Sequence, residues 1–233
     1  MIPRIIHQLW IAPNEDMQDL PRDVKSDADR WRSMHPEFEY KFWSARDALE
    51  SVGDVNFGLE RREILDSVNV CRFPAMQADL IRCLLLHTFG GFWVDLKLTP
   101  KSSFLGSMVD NELVLVEHHV TKDFPVPANS ELLNNSFFGC QKNSDFIRSV
   151  AILAFGNVRK RMHGVWEVTG PRTFISVAQR QYPGFFEVRH PGLLVVRASE
   201  FYDNLVRWGW GSYNANGRHW SERMKLEPIY NAE

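Results

Sequence analysis

The chain has 233 residues, of which 44% are apolar and 24% charged, and its formal net charge is −2. These proportions predict a folded globular protein with a sizeable core, and the near-neutral charge argues against a nucleic-acid partner. Three widely spaced cysteines without a CxxC pair argue against a zinc or redox motif and favour reduced thiols.

The first half of the chain alternates strand and helix patterns. Ser44 followed by Asp47 forms a variant capping box, which predicts a short helix there. The pair Gly90-Gly91 ends a helix pattern, since glycine suits the left-handed position after a helix. The longer elements predicted here are strands at 5–10, 39–43 and 92–98 and helices at 21–34 and 73–89.

The second half mixes turns with short elements, and 213–220 is predicted to be a polar, aromatic loop. The predicted elements are strands at 112–117, 137–140, 186–189 and 193–196 and helices at 145–155 and 171–181. This order predicts a single α/β domain over 1–233, with a largely parallel sheet first and mixed β structure later.

No signal peptide is visible at the start, and the longest apolar stretch, 80–92, is too short and too polar to span a bilayer. We therefore expect a cytoplasmic protein, with peripheral contact to the inner face of the membrane as an alternative. The basic run at 159–161 predicts a solvated helix face, and contact with anionic lipid is again the alternative.

Two charged pairs stand out in the middle of the chain. Asp95 and Lys97 alternate onto one face of the predicted strand, at the sheet edge where ligands bind in open α/β folds. They suit a metal-bridged or charge-neutralised diphosphate, or else form an ordinary ion pair. Asp79 and Arg82 lie one helical turn apart, so they either enter a polar cleft and contact sugar hydroxyls or pair on the surface.

Several other side chains are candidates for ligand binding, although each also fits an ordinary structural role. Trp10 offers a stacking surface for a nucleotide base, with His7 and Gln8 beside it, but a core tryptophan with a satisfied histidine has the same pattern. His219 is a candidate metal or phosphate partner, although a lone histidine is more often structural.

These segments together resemble glycosyltransferase family 32, the group with the DXD sugar-binding region. The motifs that carry the resemblance occur in the family's order along most of the chain: Ile2–Trp10, Ala78–Arg82, Gly90–Asp95, Asn135–Gly139, Thr169–Pro171 and His219-Trp220. The resemblance implies a GT-A fold with a Rossmann-like sheet, a nucleotide-sugar donor with UDP favoured, a divalent metal such as Mn²⁺ or Mg²⁺, and transfer with retention of configuration to a saccharide acceptor in polysaccharide or oligosaccharide synthesis.

The same resemblance implies roles for individual residues. Residues 1–110 would form the donor half and residues 111–233 the acceptor half. The implied donor site comprises His7, Gln8, Trp10, Asp79, Arg82 and Asp95. Asp95 is the first carboxylate of the DXD motif, and His219 approaches the diphosphate or its metal. Glu117, Asn134 and Asn135, which follow predicted strand edges, are candidates for acceptor binding or are ordinary loop residues.

The chain departs from the family at one position, because Lys97 replaces the second aspartate of the motif. A charged lysine cannot ligate a hard cation. Either Asp95, His219 and the diphosphate still hold a metal, which we favour, or Lys97 itself neutralises the leaving diphosphate. In both cases Asp95 and Lys97 are the predicted catalytic residues. The alternative function is a catalytically impaired protein that binds nucleotide sugars or carbohydrate.

Overall fold

The computed structural model describes residues 1–12, 20–53, 57–118, 132–209, 212 and 219–232. Its strands are β1 (Ile5–Trp10), β2 (Glu39–Ser44), β3 (Gly91–Val94), β4 (Leu98–Pro100), β5 (Leu113–Glu117), β6 (Leu133–Cys140), β7 (Leu193–Val196) and β8 (Val206–Trp208). Its α-helices are α1 (Arg22–Met34), α2 (Ala45–Ser51), α3 (Arg61–Val70), α4 (Pro74–Phe89), α5 (Asp145–Arg159), α6 (Val165–Val168), α7 (Pro171–Gln181), α8 (Ala198–Glu200) and α9 (Trp220–Arg223). A 3₁₀ helix spans Leu105–Met108, and a π-helical turn spans Phe201–Leu205.

The central sheet has six strands in the order β2-β1-β3-β6-β5-β7. The first three strands are parallel to one another, whereas β6 runs antiparallel to both β3 and β5, and β7 is parallel to β5. The predicted parallel first half and mixed second half are therefore confirmed. Strands β4 and β8 form a separate antiparallel pair.

The sheet is covered on both faces, because alternate residues of its strands point to opposite sides. On one face Leu9 and Trp93 join a core built with α4, α5 and α7. On the other face Ile6 and Phe92 join a second core that includes Trp31 of α1. Cys71, Cys83 and Cys140 are free and buried in the first core. In the described parts of the chain, every helix is too short or too polar to cross a membrane.

The link between α4 and β3 depends on the predicted glycine pair. Gly90 and Gly91 have φ angles of 66° and 97°, which side-chain-bearing residues rarely adopt. A Cβ atom on Gly91 would lie 2.6 Å from the carbonyl oxygen of Ile5. The glycines therefore let α4 end directly against β1, and this fixes the point at which β3 begins.

Two sequence predictions were wrong in this fold. The strand predicted at 92–98 is broken, since β3 ends at Val94 and a turn over 95–97 precedes β4. The N–H of Leu98 closes this turn by donating to the carbonyl oxygen of Asp95 at 3.0 Å. Residues 186–189 form no strand, because a turn begins at Gly184, where φ is 67°, and the N–H of Val188 bonds back to its carbonyl. Most of the loop predicted at 213–220 lies outside the described residues.

Candidate functional site

The candidate site lies at the sheet edge where β1, β3 and β5 have their carboxyl ends. Asp95 comes directly after β3, and its N–H donates to the carbonyl oxygen of Ser136 on β6 at 2.8 Å. Because β6 runs the other way, its first residues also lie at this edge. The edge therefore brings together Trp10, Asp95, Glu117, Asn134 and Asn135, all of them predicted site residues.

Asp79 and Arg82 of α4 form an ion pair beneath this edge, and we call it the inner pair. The Arg82 Nη2 and Asp79 Oδ1 atoms are 2.9 Å apart, and both side chains are only about 5% exposed. Asn135 Nδ2 donates to Asp79 Oδ1 at 2.9 Å, and Thr169 Oγ1 donates to Oδ2 at 2.8 Å. Burial raises the pKa of Asp79 to about 6, against the opposing effects of Arg82 and Thr169. Arg82 and Thr169 therefore favour the charged form of this buried carboxylate.

Arg82 connects the inner pair to the surface of the site. Its guanidinium also lies 3.4 Å from Asp95 Oδ1 and donates to the backbone carbonyl oxygen of Asn135. It stacks over the indole of Trp93, 4.8 Å from the ring centre. These contacts hold the guanidinium in place, so Arg82 positions Asp95 from below.

Asp95 and Lys97 form what we call the outer pair, with Lys97 Nζ 3.4 Å from Asp95 Oδ2. Trp93 Nε1 donates to the other carboxylate oxygen of Asp95 at 2.8 Å. The Lys97 ammonium lies 4.2 Å from the ring centre of Trp208, and the N–H of Gly209 donates to the Lys97 carbonyl oxygen at 2.8 Å. The side chains of Asp95 and Lys97 are 19% and 21% exposed, so this pair faces a ligand-accessible edge.

The predicted nucleotide-contacting residues of β1 lie in different surroundings. His7 is fully buried; Trp43 Nε1 donates to its Nδ1, and its Nε2 bonds to the Gly90 carbonyl oxygen at 2.9 Å. Burial lowers the pKa of His7 to about 4, so the ring is neutral and has a structural role. Gln8 accepts a hydrogen bond from Tyr40, and its buried Nε2 has no hydrogen-bond partner among the described residues. Trp10 is partly exposed at the end of β1.

His219 precedes α9 and accepts a hydrogen bond at Nδ1 from the N–H of Ser221. Burial first, and then the nearby charge of Lys97, lower the pKa of His219 to about 4. The ring is therefore neutral. Nδ1 also lies 2.6 Å from the hydroxyl oxygen of Ser221, so Ser221 occupies this ring nitrogen.

These donor atoms do not fit the predicted divalent ion. Both oxygens of Asp95 already face cationic or N–H groups, and Nδ1 of His219 contacts Ser221. Across the part of the chain that the structure describes, no three His, Cys, Asp or Glu side chains gather at one point. A hard cation prefers several oxygen ligands, and this cluster places two cationic side chains beside its exposed carboxylate instead.

The predicted acceptor residues make contacts within the protein. Glu117 accepts from the N–H of Ala198 at 3.0 Å and lies 3.4 Å from Arg197. Asn134 Oδ1 accepts from the N–H of Ser136 at 2.7 Å, and Asn134 Nδ2 donates to the hydroxyl oxygen of Tyr202.

Sequence reasoning missed three residues that hold the site together. Tyr202 lies close enough to Asp95 for that charge to raise its pKa, although burial is the larger cause. Thr169 binds Asp79, and Trp208 packs against Lys97. Thr169 belonged to a quoted motif but was taken only as part of a turn, and no local signal in the sequence marks Tyr202 or Trp208.

Both ion pairs lie in a part of the chain that resembles a known protein family. The family described as "Glycosyltransferase sugar-binding region containing DXD motif" matches residues 21–119, a range that includes both ion pairs. Mannosyl phosphorylinositol ceramide synthase SUR1 of Saccharomyces cerevisiae is 29% identical over 110 residues, which are 45% of this chain and 26% of the yeast protein. Inositol phosphoceramide mannosyltransferase 2 of Schizosaccharomyces pombe is 28% identical over 96 residues, 41% of this chain and 25% of that protein.

Uncharacterized glycosyltransferase L373 of Acanthamoeba polyphaga mimivirus is 28% identical over 109 residues, 46% of this chain and 41% of the viral protein. The chain thus spans about a quarter of the length of the yeast relatives it matches and about two fifths of the viral one.

Two solved structures share the fold. The PaToxG glycosyltransferase superposes with a TM-score of 0.58 at 16% identity, over 78% of this chain and 71% of that chain. The ligand-free glycosyltransferase domain of the YGT toxin superposes with a TM-score of 0.53 at 10% identity, over 84% of this chain and 79% of that one. At these identities the likeness establishes the fold, which is of the GT-A type. The matching sugar-binding region and the named relatives make this chain similar to DXD-containing glycosyltransferases of the family 32 type.

Proposed function

We propose that this chain transfers a hexose from a nucleoside diphosphate to a hydroxyl group of a saccharide acceptor, as a step in polysaccharide or oligosaccharide synthesis. The observation that carries the proposal is the outer pair, a carboxylate and an ammonium at the carboxyl end of β3. Open α/β sheets bind ligands at this edge, and a diphosphate needs positive charge where it leaves.

The reaction is a substitution at the anomeric carbon of the donor sugar. The bond from that carbon to the diphosphate oxygen breaks, and its electron pair leaves with the diphosphate. A bond forms from the acceptor oxygen to the same carbon, and the acceptor proton passes to an oxygen of the leaving phosphate. We propose that both events occur on one face of the sugar, which retains the anomeric configuration.

The two pairs have separate parts in this scheme. The Lys97 ammonium faces the diphosphate and stabilises the negative charge that develops on it. The Asp95 carboxylate binds a hydroxyl group of the donor, since it is the more exposed of the two acids. Asp79 and Arg82 are positioning residues, because their polar atoms are bonded within the protein and they hold Asp95 from below.

The remaining expected contacts complete the proposal. Residues up to about 110 form the donor half, in which Trp10 offers a surface for the base and Gln8 Nε2 offers a buried hydrogen-bond donor. The later residues form the acceptor half, in which Glu117, Asn134 and Asn135 border the same edge. These three side chains serve the acceptor either directly or by shaping the edge.

The donor nucleotide we propose is UDP, following the habit of the family. The names of the two fungal relatives specify mannosyl transfer with an inositol phosphoceramide. Mannose is therefore the first sugar to test beside glucose, and an inositol headgroup, which carries several hydroxyl groups, belongs among the acceptors.

The experiment is a donor-hydrolysis and transfer assay with UDP-glucose, UDP-galactose and GDP-mannose. Each donor is incubated with the chain alone, with oligosaccharides or with inositol phosphoceramide, and released sugar and product are measured. A transferase releases some sugar to water and forms product with one acceptor class. Binding of a donor without either reaction would instead establish the alternative, a catalytically impaired binding protein. Proton NMR of the product reports the anomeric configuration, and inversion would contradict the proposed retention.

A further inference from the structure

We propose that Lys97 supplies the positive charge for which DXD glycosyltransferases use a divalent ion, so that this chain binds the diphosphate of its donor without a metal. The inference rests on the proposed function, because it requires a nucleoside diphosphate at this edge of the sheet. It makes the site independent of divalent metal, in contrast to what the resemblance implies.

The formal charges of the site balance without a metal ion. The inner and outer pairs hold two carboxylates and two cationic side chains, so their formal charges cancel before any ion arrives. An aspartate at position 97 would leave two negative charges uncancelled, and one divalent cation would neutralise them. Replacing that aspartate by lysine and binding a divalent ion therefore change the charge of the site by the same amount.

Contacts on both its side chain and its backbone hold Lys97 in place. The turn that follows Asp95 aims Lys97 back at the carboxylate, 3.4 Å away. On its other side the ammonium contacts the indole of Trp208, which pairs with Leu98 across the β4–β8 ribbon. Gly209 fixes the backbone of Lys97 with a further hydrogen bond. These backbone and aromatic contacts restrict the position of the ammonium group, as ligands restrict a bound metal ion.

The Lys97 ammonium also has the hydrogen-bonding capacity to bind phosphate. A lysine has three N–H donors, and the outer pair directs one of them toward Asp95. The others can donate to phosphate oxygens, which form strong charge-assisted hydrogen bonds. The ammonium therefore stabilises the leaving diphosphate by its charge, as a divalent ion would.

The test measures binding of UDP and of GDP to the full chain by isothermal titration calorimetry. Each nucleotide is titrated in EDTA and in Mn²⁺. We expect one of them to bind with a dissociation constant that differs by less than about twofold between the two conditions. Binding that is lost in EDTA and restored by Mn²⁺ would overturn the inference.

Variants at position 97 test whether the Lys97 side chain is responsible for nucleotide binding without a metal. Lys97→Met should weaken binding in EDTA at least about tenfold, which is the loss expected for a charged hydrogen bond. Lys97→Asp recreates the two carboxylates of the motif and should bind more tightly in Mn²⁺ than in EDTA. The matched control is Lys142→Asp, because Lys142 is exposed beside Gly90 at the opposite edge of the sheet. It should bind as the unaltered chain does.

The outcomes separate this inference from the proposed function. Unchanged binding of Lys97→Met or of Lys97→Asp in EDTA would show that the ammonium is not the required cation, and the inference would fail. Binding of the unaltered chain only with Mn²⁺ would also reject it while leaving the transferase proposal intact. Failure of both nucleotides to bind under either condition would reject the two proposals together. Thermal unfolding of each variant without ligand confirms that it is folded.

Discussion

The inner and outer pairs place the same kinds of charge in different surroundings. Asp79 and Arg82 lie 2.9 Å apart and are almost fully buried, with both oxygens of the carboxylate bonded to protein groups. Asp95 and Lys97 lie 3.4 Å apart and keep about a fifth of their surface exposed. A buried pair must be complete because an unpaired buried charge is costly, whereas an accessible pair can exchange partners with a ligand. The inner pair therefore maintains the fold of the site, and the outer pair is the part that we propose contacts the donor.

The largest effect should come from breaking the inner pair. Arg82→Ala leaves Asp79 buried without its counter-charge, so we expect the free energy of unfolding to fall by about 3–5 kcal/mol. Urea denaturation measures this loss. The control is Arg62→Ala, since Arg62 forms a highly exposed pair with Asp66 at 3.7 Å and should change stability by less than about 0.5 kcal/mol. Equal losses in the two variants would contradict the structural role of the inner pair.

The next effect concerns protonation of a buried side chain. The pKa of His7 is lowered to about 4 from 6.5, so the unfolded chain binds a proton more readily than the folded one between these values. The stability due to neutral His7 is complete above pH 6.5 and is lost as the pH falls toward 4, by about 3 kcal/mol. Urea denaturation between pH 7 and pH 4 should show a shallower loss of stability for His7→Gln than for the unaltered chain. Parallel profiles would refute the assignment.

A smaller effect on stability is expected for the outer pair. Lys97→Met removes a partly exposed cation, so the free energy of unfolding should change by no more than about 1 kcal/mol. Its effect on nucleotide binding, measured in parallel, should be the larger of the two. A loss of stability comparable to that of Arg82→Ala would mean that both pairs are structural, and the contrast between them would disappear.

The smallest effect is a change in one pKa. Lys97 is the second cause of the lowered pKa of His219, after burial. Lys97→Met should therefore raise the pKa of His219 from about 4, while burial still holds it below 6.5. NMR titration of the histidine ring protons measures the shift. An unchanged pKa would place the ammonium farther from His219 than this structure does.

The sequence predicted those features of the fold and site that depend on neighbouring residues. The i, i+3 spacing predicted that Asp79 and Arg82 would meet, and Gly90-Gly91 correctly predicted the end of α4 and the start of a strand. The strand pattern predicted that Asp95 lies at the carboxyl edge of the sheet, and the solved structures confirm the GT-A fold that the resemblance implied. These features depend on neighbouring residues or on a compact motif.

The remainder of the site depends on contacts between distant parts of the chain. The alternation of residues through Leu98 predicted that the strand continues past Asp95. In the structure, the residues from Leu98 onward form β4 instead, which pairs with β8. Thr169, which lies just before α7, donates a hydrogen bond to Asp79 of the inner pair. The helix α3 was also missed, because its capping box uses Glu60 and Glu63 rather than a serine or threonine. No local sequence pattern predicts which distant strand or hydroxyl group contacts the site.

The β4–β8 ribbon has a consequence for the order in which the protein is made. Lys97 leaves the ribosome long before Trp208 and Gly209, the residues that hold its ammonium and its backbone in place. A nascent chain that ends before position 208 can have both members of the outer pair but not the support that fixes them. The geometry that we propose for donor binding is therefore complete only late in translation, after most of the central sheet has emerged.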